Sequence, residues 1–263
     1  MINRKTLDIA MAVLFITGVI CAVVFGLIPS ALDGEAPDDS VEPAVMNENG
    51  RPPDQINIVI DPGHGGADPG KIGASGSCER EVNLAISMIT GEMLTERGNN
   101  VFFTRRDDNG LYDDSDVNKK AADMRKRCSI IEEAEADVVI SIHQNSFTDS
   151  DVCGAQMFYY THSAEGKKLA EIMQESFRKF VNTDNTRGCK ANDSYYMLIH
   201  TPCPTVIAEC GFLSNPEEEK QLNDNVYRNK IALAITEAVE KYFGNDSLSL
   251  IHISEPTRPR LIS

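Results

Sequence analysis

The chain has 263 residues, of which 41% are hydrophobic and 25% are charged, so it is long and apolar enough for one globular core. Disorder and a small disulfide scaffold are therefore both disfavoured. Its 25 Lys and Arg against 40 Asp and Glu give a net charge of −15, which repels phosphate backbones. Since no basic cluster offsets this field, we expect no nucleic-acid partner.

The first element, residues 1–28, has the pattern of a membrane segment. Ile9 to Ile28 are uncharged, and a helix of that length spans the hydrocarbon core of about 30 Å. Arg4 and Lys5 precede the span, so the positive-inside rule places the rest of the chain outside the cytoplasm. An uncleaved anchor is favoured over a signal peptide because the Pro-Ser-Ala at 29–31 is a poor cleavage site. If the segment is cleaved, the protein is secreted.

Residues 29–55 are rich in Pro, Asp and Glu without apolar periodicity, which predicts a flexible linker. A folded domain is predicted over 56–244, because apolar patterns begin at Ile56 and a helical stripe from 226 to 243 ends at a glycine. Residues 245–263 are predicted to form a disordered tail. That tail resembles the translated read-through of a sequencing adapter, so we exclude it from the fold and do not count His252 as a ligand.

Between these limits, strand and helix patterns alternate. Apolar or β-rich runs predict strands, and apolar residues at helical spacing predict helices. The predicted strands are 56–60, 101–104, 138–142, 156–160 and 205–209, and the predicted helices are 81–97, 119–136, 164–181 and 226–243. This alternation predicts a single α/β domain with a mainly parallel twisted sheet, covered by helices on both faces. Functional residues are expected at the carboxyl ends of the strands.

Four polar residues stand at such positions. His64 in DPGHGG and His143 in SIHQN directly follow predicted buried strands, Glu79 follows a glycine-rich loop, and Glu209 ends another strand. A single histidine at a strand end is often structural. Two histidines at one sheet edge, together with two glutamates, instead indicate a metal-binding or catalytic site. Two histidines and one glutamate are a ligand set of catalytic zinc, and a second carboxylate beside them could act as general base.

The glycine-rich loop GHGGADPG also has an alternative interpretation as a phosphate-binding loop. A dinucleotide fingerprint requires glycine where Asp68 stands, and twelve residues separate Gly66 from the helix near Glu79. A Gly-Lys-Ser/Thr sequence is also missing. We therefore expect no nucleotide, and the glycines are predicted to let the backbone present His64 to a metal.

Four motifs carry a family resemblance. IVIDPGHGGADPG, EREVNLA, SIHQNSF and PTVIAECGFLSNPEE occur in this order, within a match from about Ile56 to Phe243. In sequence and spacing they resemble the zinc-dependent N-acetylmuramoyl-L-alanine amidases of the Amidase_3 family, which hydrolyse the bacterial cell wall. One departure is Gln144, where members of the family commonly carry alanine.

The resemblance implies that His64, Glu79 and His143 bind Zn²⁺ and that Glu209 is catalytic. Glu79, and not Glu81, takes the ligand position because the Val-Asn-Leu at 82–84 sets the register. Glu81 is expected to be a solvated carboxylate in the first turn of the helix. The implied reaction is hydrolysis of the amide bond between the lactyl group of N-acetylmuramic acid and L-alanine, with peptidoglycan as the partner molecule.

Asn145 lies two residues past His143 and is predicted to bind substrate, although an asparagine at a strand end is also a common turn former. Six cysteines follow the membrane segment, but none form a CxxC pair, so a cysteine zinc site is disfavoured. Up to three disulfides are possible outside the cytoplasm. Buried free thiols are favoured for most of these cysteines, because an α/β core of this size does not need cross-links.

A small catalytic domain behind a membrane segment resembles the sporulation enzymes that prepare muramic-δ-lactam in the spore cortex. Vegetative wall-remodelling amidases carry the same motifs, and no activator protein is identified by the sequence. Two other function classes stay open. A zinc carboxypeptidase would usually show a histidine and a glutamate close together, as in HxxE, and a silent peptidoglycan-binding module would be expected to lack a ligand or the base.

Overall fold

The computed structural model describes residues 55–244 of the chain. The predicted membrane segment 1–28, all but the last residue of the predicted linker 29–55, and the predicted tail 245–263 lie outside these residues. The elements are, in chain order, β1 Asn57–Pro62, α1 Glu79–Glu96, β2 Asn100–Phe103, α2 Lys119–Glu133, β3 Val138–Asn145, β4 Gln156–Tyr160, α3 Ala164–Phe180, β5 Lys190–Asn192, α4 Tyr196–His200, β6 Thr205–Phe212, α5 Pro216–Leu222 and α6 Asn225–Phe243. Within 55–244, no helix combines the length and the apolar character that a bilayer crossing needs.

The strands form one six-stranded sheet in the order β2-β1-β3-β6-β4-β5. Strands β2, β1, β3 and β6 are parallel to one another, β4 runs antiparallel to β6, and β5 is parallel to β4. The predicted mainly parallel sheet is therefore confirmed, with a reversed pair at one edge. Because β1, β3 and β6 are parallel neighbours, their carboxyl ends meet at one edge of the sheet.

Helices cover both faces of the sheet, as predicted. Side chains alternate along each strand, so Ile58 and Ile60 on β1 pack in the larger core against α1, α3 and α6. Val59 lies on the opposite face, where it packs with Cys128 and Ile131 of α2 in a smaller core. Helix α6 is capped at both ends: Asp224 accepts a hydrogen bond from the Tyr227 N–H at its start, and the helix ends at left-handed Gly244.

The nine elements predicted from the sequence are present, but the boundaries shift near the strand ends. Helix α1 begins at Glu79, two residues earlier than predicted, and β3 and β6 continue to Asn145 and Phe212. His143 therefore lies within its strand and not after it, and Glu209 lies within its strand and not at the end. Sequence periodicity missed β5, α4 and α5, which have 3, 5 and 7 residues, because segments this short show no full period.

Candidate metal centre

The segment that follows β1 delivers the first histidine. The Gly63 N–H donates to the Ile142 carbonyl, which extends the pairing of β1 with β3 beyond Pro62. A Cβ atom on residue 63 would overlap the imidazole of His143, so glycine is needed for the two strands to bring their histidines together. His64 itself adopts left-handed backbone geometry with φ of 62°, which is uncommon for a residue other than glycine.

Three side chains from three different elements converge here. Nε2 of His64 lies 3.1 Å from Oε1 of Glu79, and Nδ1 of His143 lies 3.0 Å from the same oxygen. One ligand atom from each residue lies within 4.8 Å of the other two. A tetrahedral zinc ion with bonds of about 2.0–2.1 Å separates its ligands by about 3.3 Å. The donor types and their spacing therefore fit a metal ion of this kind.

The Glu79 carboxylate is held in its ionised form. Its side chain is only 1% exposed, and burial alone would raise its pKa. The hydrogen bonds and charges of His143 and His64 instead hold the pKa far below its usual range. The backbone N–H groups of Lys71 and Gln144 also donate to it, at 2.7 and 3.1 Å. An ionised, oriented carboxylate is what a metal ligand requires.

His64 is oriented by a residue that the sequence reasoning did not select. Its Nδ1 lies 3.0 Å from Oδ2 of Asp68. A ligating histidine commonly bonds a carboxylate through its second ring nitrogen, which sets the tautomer and the ring orientation. In the sequence, Asp68 stands where a dinucleotide fingerprint requires glycine, and no motif marks it as part of a metal site. The signal that could have found it is the aspartate four positions after a candidate ligand in a glycine-rich loop.

Glu209 occupies a different environment in the same cavity. It is the backbone partner of His143 on β3 and of Gln156 on β4, and its side chain is buried. Within residues 55–244, its Oε2 is buried without a hydrogen-bond partner. Burial raises the pKa of Glu209 to about 7, and the charge of Glu79 acts in the same direction. Cys210 is buried in the core on the opposite face, as the strand alternation predicts.

The structure places all five sequence-predicted site residues around one cavity of about 940 Å³: His64, Glu79, His143, Asn145 and Glu209. The Asn145 side-chain oxygen accepts a hydrogen bond of 2.8 Å from the N–H of the next residue, Ser146. A turn-forming asparagine bonds the N–H two residues on, so this local contact is not that of an Asx turn.

A layer of buried polar residues behind the cavity was also missed. Asn83 on α1 donates to the Gly63 carbonyl at 3.1 Å and accepts from Gln144 Nε2 at 3.2 Å. Arg105 and Arg127 bond to the backbone of the segment after β1. No short motif marks these residues, since the partners named here lie twenty or more positions away.

The cysteines are free thiols in the part of the chain that the structure describes. Cys128 and Cys210 are buried, as favoured by the sequence analysis, but Cys153 is exposed and Cys78, Cys189 and Cys203 are partly exposed. The prediction of free thiols is confirmed, whereas the prediction that most of them are buried is wrong. No cysteine belongs to the cluster of candidate metal ligands among these residues.

Comparison with known proteins assigns this arrangement to a family. The Amidase_3 family model, described as N-acetylmuramoyl-L-alanine amidase, matches residues 58–241. The germination-specific N-acetylmuramoyl-L-alanine amidase of Bacillus subtilis is 36% identical over 190 residues, which cover 71% of this chain and 79% of that protein. The N-acetylmuramoyl-L-alanine amidase AmiA of Escherichia coli is 30% identical over 231 residues, covering 71% and 75% respectively.

Solved structures agree with the sequence comparison. The CwlD amidase of Clostridioides difficile, determined in complex with the GerS lipoprotein, superposes with a TM-score of 0.70 at 37% identity. That match covers 73% of this chain and 100% of the other. The chain therefore belongs to the Amidase_3 family and is an N-acetylmuramoyl-L-alanine amidase, a hydrolase of peptidoglycan.

Proposed function

We propose that this amidase is a zinc enzyme whose ion is held by His64, Glu79 and His143 and whose general base is Glu209. The observation that carries the proposal is the convergence of two imidazoles and an ionised carboxylate, in a cavity also lined by Glu209, one oxygen of which has no hydrogen-bond partner among residues 55–244. When bound there, zinc supplies Lewis acidity that polarises water and the scissile carbonyl.

Each protein group then has a defined task in hydrolysis of the bond between the lactyl carbonyl and L-alanine. Glu209 accepts a proton from the attacking water, because its carboxylate lines the same cavity as the three ligands and its Oε2 has no hydrogen-bond partner among residues 55–244. The same carboxyl group returns that proton to the alanine nitrogen as the carbon–nitrogen bond breaks. Asp68 keeps the His64 ring oriented, and Asn145 offers its amide group to the substrate at the cavity wall.

The biological setting of the reaction is the second part of the proposal. The germination-specific relative and the CwlD relative support a role in spore-cortex remodelling. The CwlD relative is bound to a lipoprotein, so an extracytoplasmic lipoprotein partner is part of the proposal. The apolar segment at 1–28 supports membrane attachment, with the catalytic domain outside the cytoplasm.

The test is peptidoglycan digestion by the full-length protein in detergent, with zinc, with a chelator, and with the Glu209→Gln variant. New L-alanine amino termini with intact glycan, dependent on zinc and absent in the variant, are expected in mass spectra of the products. Zinc binding at one ion per chain without cleavage would indicate a silent binding module or a missing partner. Release of single amino acids from stem ends would indicate the carboxypeptidase alternative.

A further inference from the structure

The three candidate ligands differ in how firmly their own elements hold them. Glu79 opens an 18-residue helix, and His143 lies within an eight-residue strand. His64 is the exception, because it follows β1 in a loop and has left-handed backbone geometry. A ligand in such a segment needs other groups to keep its position, since loops hold functional groups less accurately than helices or strands.

Two arginines supply those groups. Arg105 donates through Nε to the Pro62 carbonyl at 2.9 Å and through a terminal nitrogen to the Gly63 carbonyl at 2.9 Å. Arg127 donates to the Pro62 carbonyl at 2.8 Å and to the His64 carbonyl at 2.6 Å. Three consecutive backbone carbonyls, ending at the ligand residue itself, are thus bonded by guanidinium groups.

Burial makes this arrangement costly. Arg105 and Arg127 are only 3% and 2% exposed, and removing two like charges from water is unfavourable. Asp61 compensates part of the cost, because its Oδ1 lies 2.6 Å from Arg127. The hydroxyl groups of Thr104 and Ser141 donate to the Asp61 carboxylate at 2.6 Å each, and so hold it in place. Backbone carbonyls in an exposed loop can accept hydrogen bonds from water at no such cost. The use of two buried guanidinium groups here therefore indicates that the backbone position of residues 62–64 matters.

We infer that Arg105 and Arg127 are positioning residues of the metal centre, which hold the backbone of residues 62–64 so that the His64 imidazole meets Glu79 and His143. The inference rests on the proposed zinc site. Neither arginine is a catalytic residue, because each acts through the backbone of the loop. Asp61 supports the same loop indirectly, because it pairs with Arg127 and not with the candidate metal ligands.

The test compares zinc affinity in Arg127→Lys, Arg105→Lys and the control Arg97→Lys, with the full-length protein in detergent. A lysine keeps the charge but cannot bond two carbonyls in the planar manner of a guanidinium. Arg97 is a suitable control because it is also mostly buried and links α1 to α6 through Glu237 and Glu240. Zinc affinity is measured by competition with a chromophoric chelator, at a temperature where circular dichroism shows each variant folded.

We expect zinc to bind about 10–100-fold more weakly to both site variants, as is typical when a partner of a metal ligand is removed. Arg97→Lys should lower the unfolding temperature without changing zinc affinity. The absorption spectrum of the Co²⁺-substituted protein should shift in the site variants only, because it reports ligand geometry. Saturating zinc should restore much of their activity.

Unchanged zinc affinity and an unchanged Co²⁺ spectrum in folded site variants would overturn the inference and leave the arginines a purely structural role. If Arg127→Lys does not fold, Arg105→Lys decides, because Arg105 has no ion pair with Asp61 to lose. Failure of the wild-type protein to bind zinc would instead refute the proposed function, so the two failures are distinguishable.

Discussion

Two buried glutamates line the same cavity, yet their surroundings drive their protonation in opposite directions. Glu79 accepts hydrogen bonds from two backbone N–H groups and faces both histidines, which hold its pKa far below the usual range. Glu209 is also buried, but one of its oxygens has no partner among residues 55–244, and burial raises its pKa to about 7. The two side chains are of the same type, so the difference between their pKa values comes from their surroundings.

This difference indicates how the work of the site is divided. A permanently ionised, oriented carboxylate suits a cation, whereas a carboxylate with a pKa near neutrality suits proton transfer. Pairs of titratable groups whose surroundings push their pKa values apart commonly mark such assignments in hydrolases. The following predictions test whether the division between Glu79 and Glu209 is as sharp as the structure suggests.

The largest effect is expected from exchanging each glutamate for glutamine. Glu209→Gln should retain zinc affinity and lower kcat about 10²–10⁴-fold, because only the proton acceptor is removed. Glu79→Gln should lose both zinc affinity and activity. Glu81→Gln is the matched control, since that neighbouring side chain is 61% exposed and should affect neither. Zinc affinity that falls equally in both active-site variants would contradict the division of roles.

The next effect is a pH dependence of stability in the metal-free protein. The folded-state pKa of Glu209 is raised from 4.5 to about 7, so the folded protein holds this proton more tightly than the unfolded chain. Stability contributed by the protonated form is therefore present below pH 4.5 and lost as the pH rises through 7. The free energy of unfolding should fall by about 3 kcal/mol over this range, because each unit of pKa difference corresponds to about 1.36 kcal/mol.

The Glu209→Gln variant should lack this loss, because glutamine does not titrate. Urea unfolding of both proteins in the presence of a chelator, at pH values between 4 and 8, measures the difference. The unfolding free energy of the variant minus that of the wild type should increase across this range. A constant difference would show that Glu209 titrates normally and that burial does not set its pKa.

Apolar patterns in the sequence predicted α1, β3 and β6, and with them the fold. Strand positions and the family resemblance singled out Glu79 and Glu209, which the structure brings to one cavity. The different protonation of the two residues was not predictable, because it depends on contacts across the sheet. The Gln144 N–H, for example, reaches Glu79 from 65 positions away.

The supporting layer was missed for the same reason. Arg127 bonds to Asp61 and to His64, which lie 66 and 63 positions away, and neither spacing forms a recognisable motif. Buried charges are rare in α/β cores, so a helical arginine is expected to be solvated until the structure shows otherwise. The contact of Asp68 with His64 differs, because a separation of four residues could have been recognised in the sequence.

The contact between Asp68 and His64 gives the third prediction, which concerns metal binding, the role assigned to Glu79. Asp68→Asn should weaken zinc binding about 10–100-fold, because the His64 ring loses the carboxylate on its second nitrogen. Isothermal titration with zinc measures the change, and kcat at saturating zinc should decrease less than the affinity. Asp114→Asn is the control, since Asp114 is fully exposed and pairs with the surface residue Lys119. Equal affinities of the two variants would remove Asp68 from the site.

The smallest effect concerns Asn145, which lines the cavity together with Glu209 and whose side-chain oxygen accepts a hydrogen bond from the Ser146 N–H. If its amide binds substrate, Asn145→Ala should raise KM about fivefold, which corresponds to one hydrogen bond of about 1 kcal/mol, with little change in kcat. If the bond to the Ser146 N–H is the main role of Asn145, the unfolding temperature should fall and KM should stay constant. Asn182→Ala provides the reference for loss of a local bond alone, because the Asn182 side-chain oxygen accepts from the Asp184 N–H outside the cavity. Steady-state kinetics on a soluble muramoyl peptide, together with thermal unfolding of both variants, therefore separates substrate binding from local backbone support.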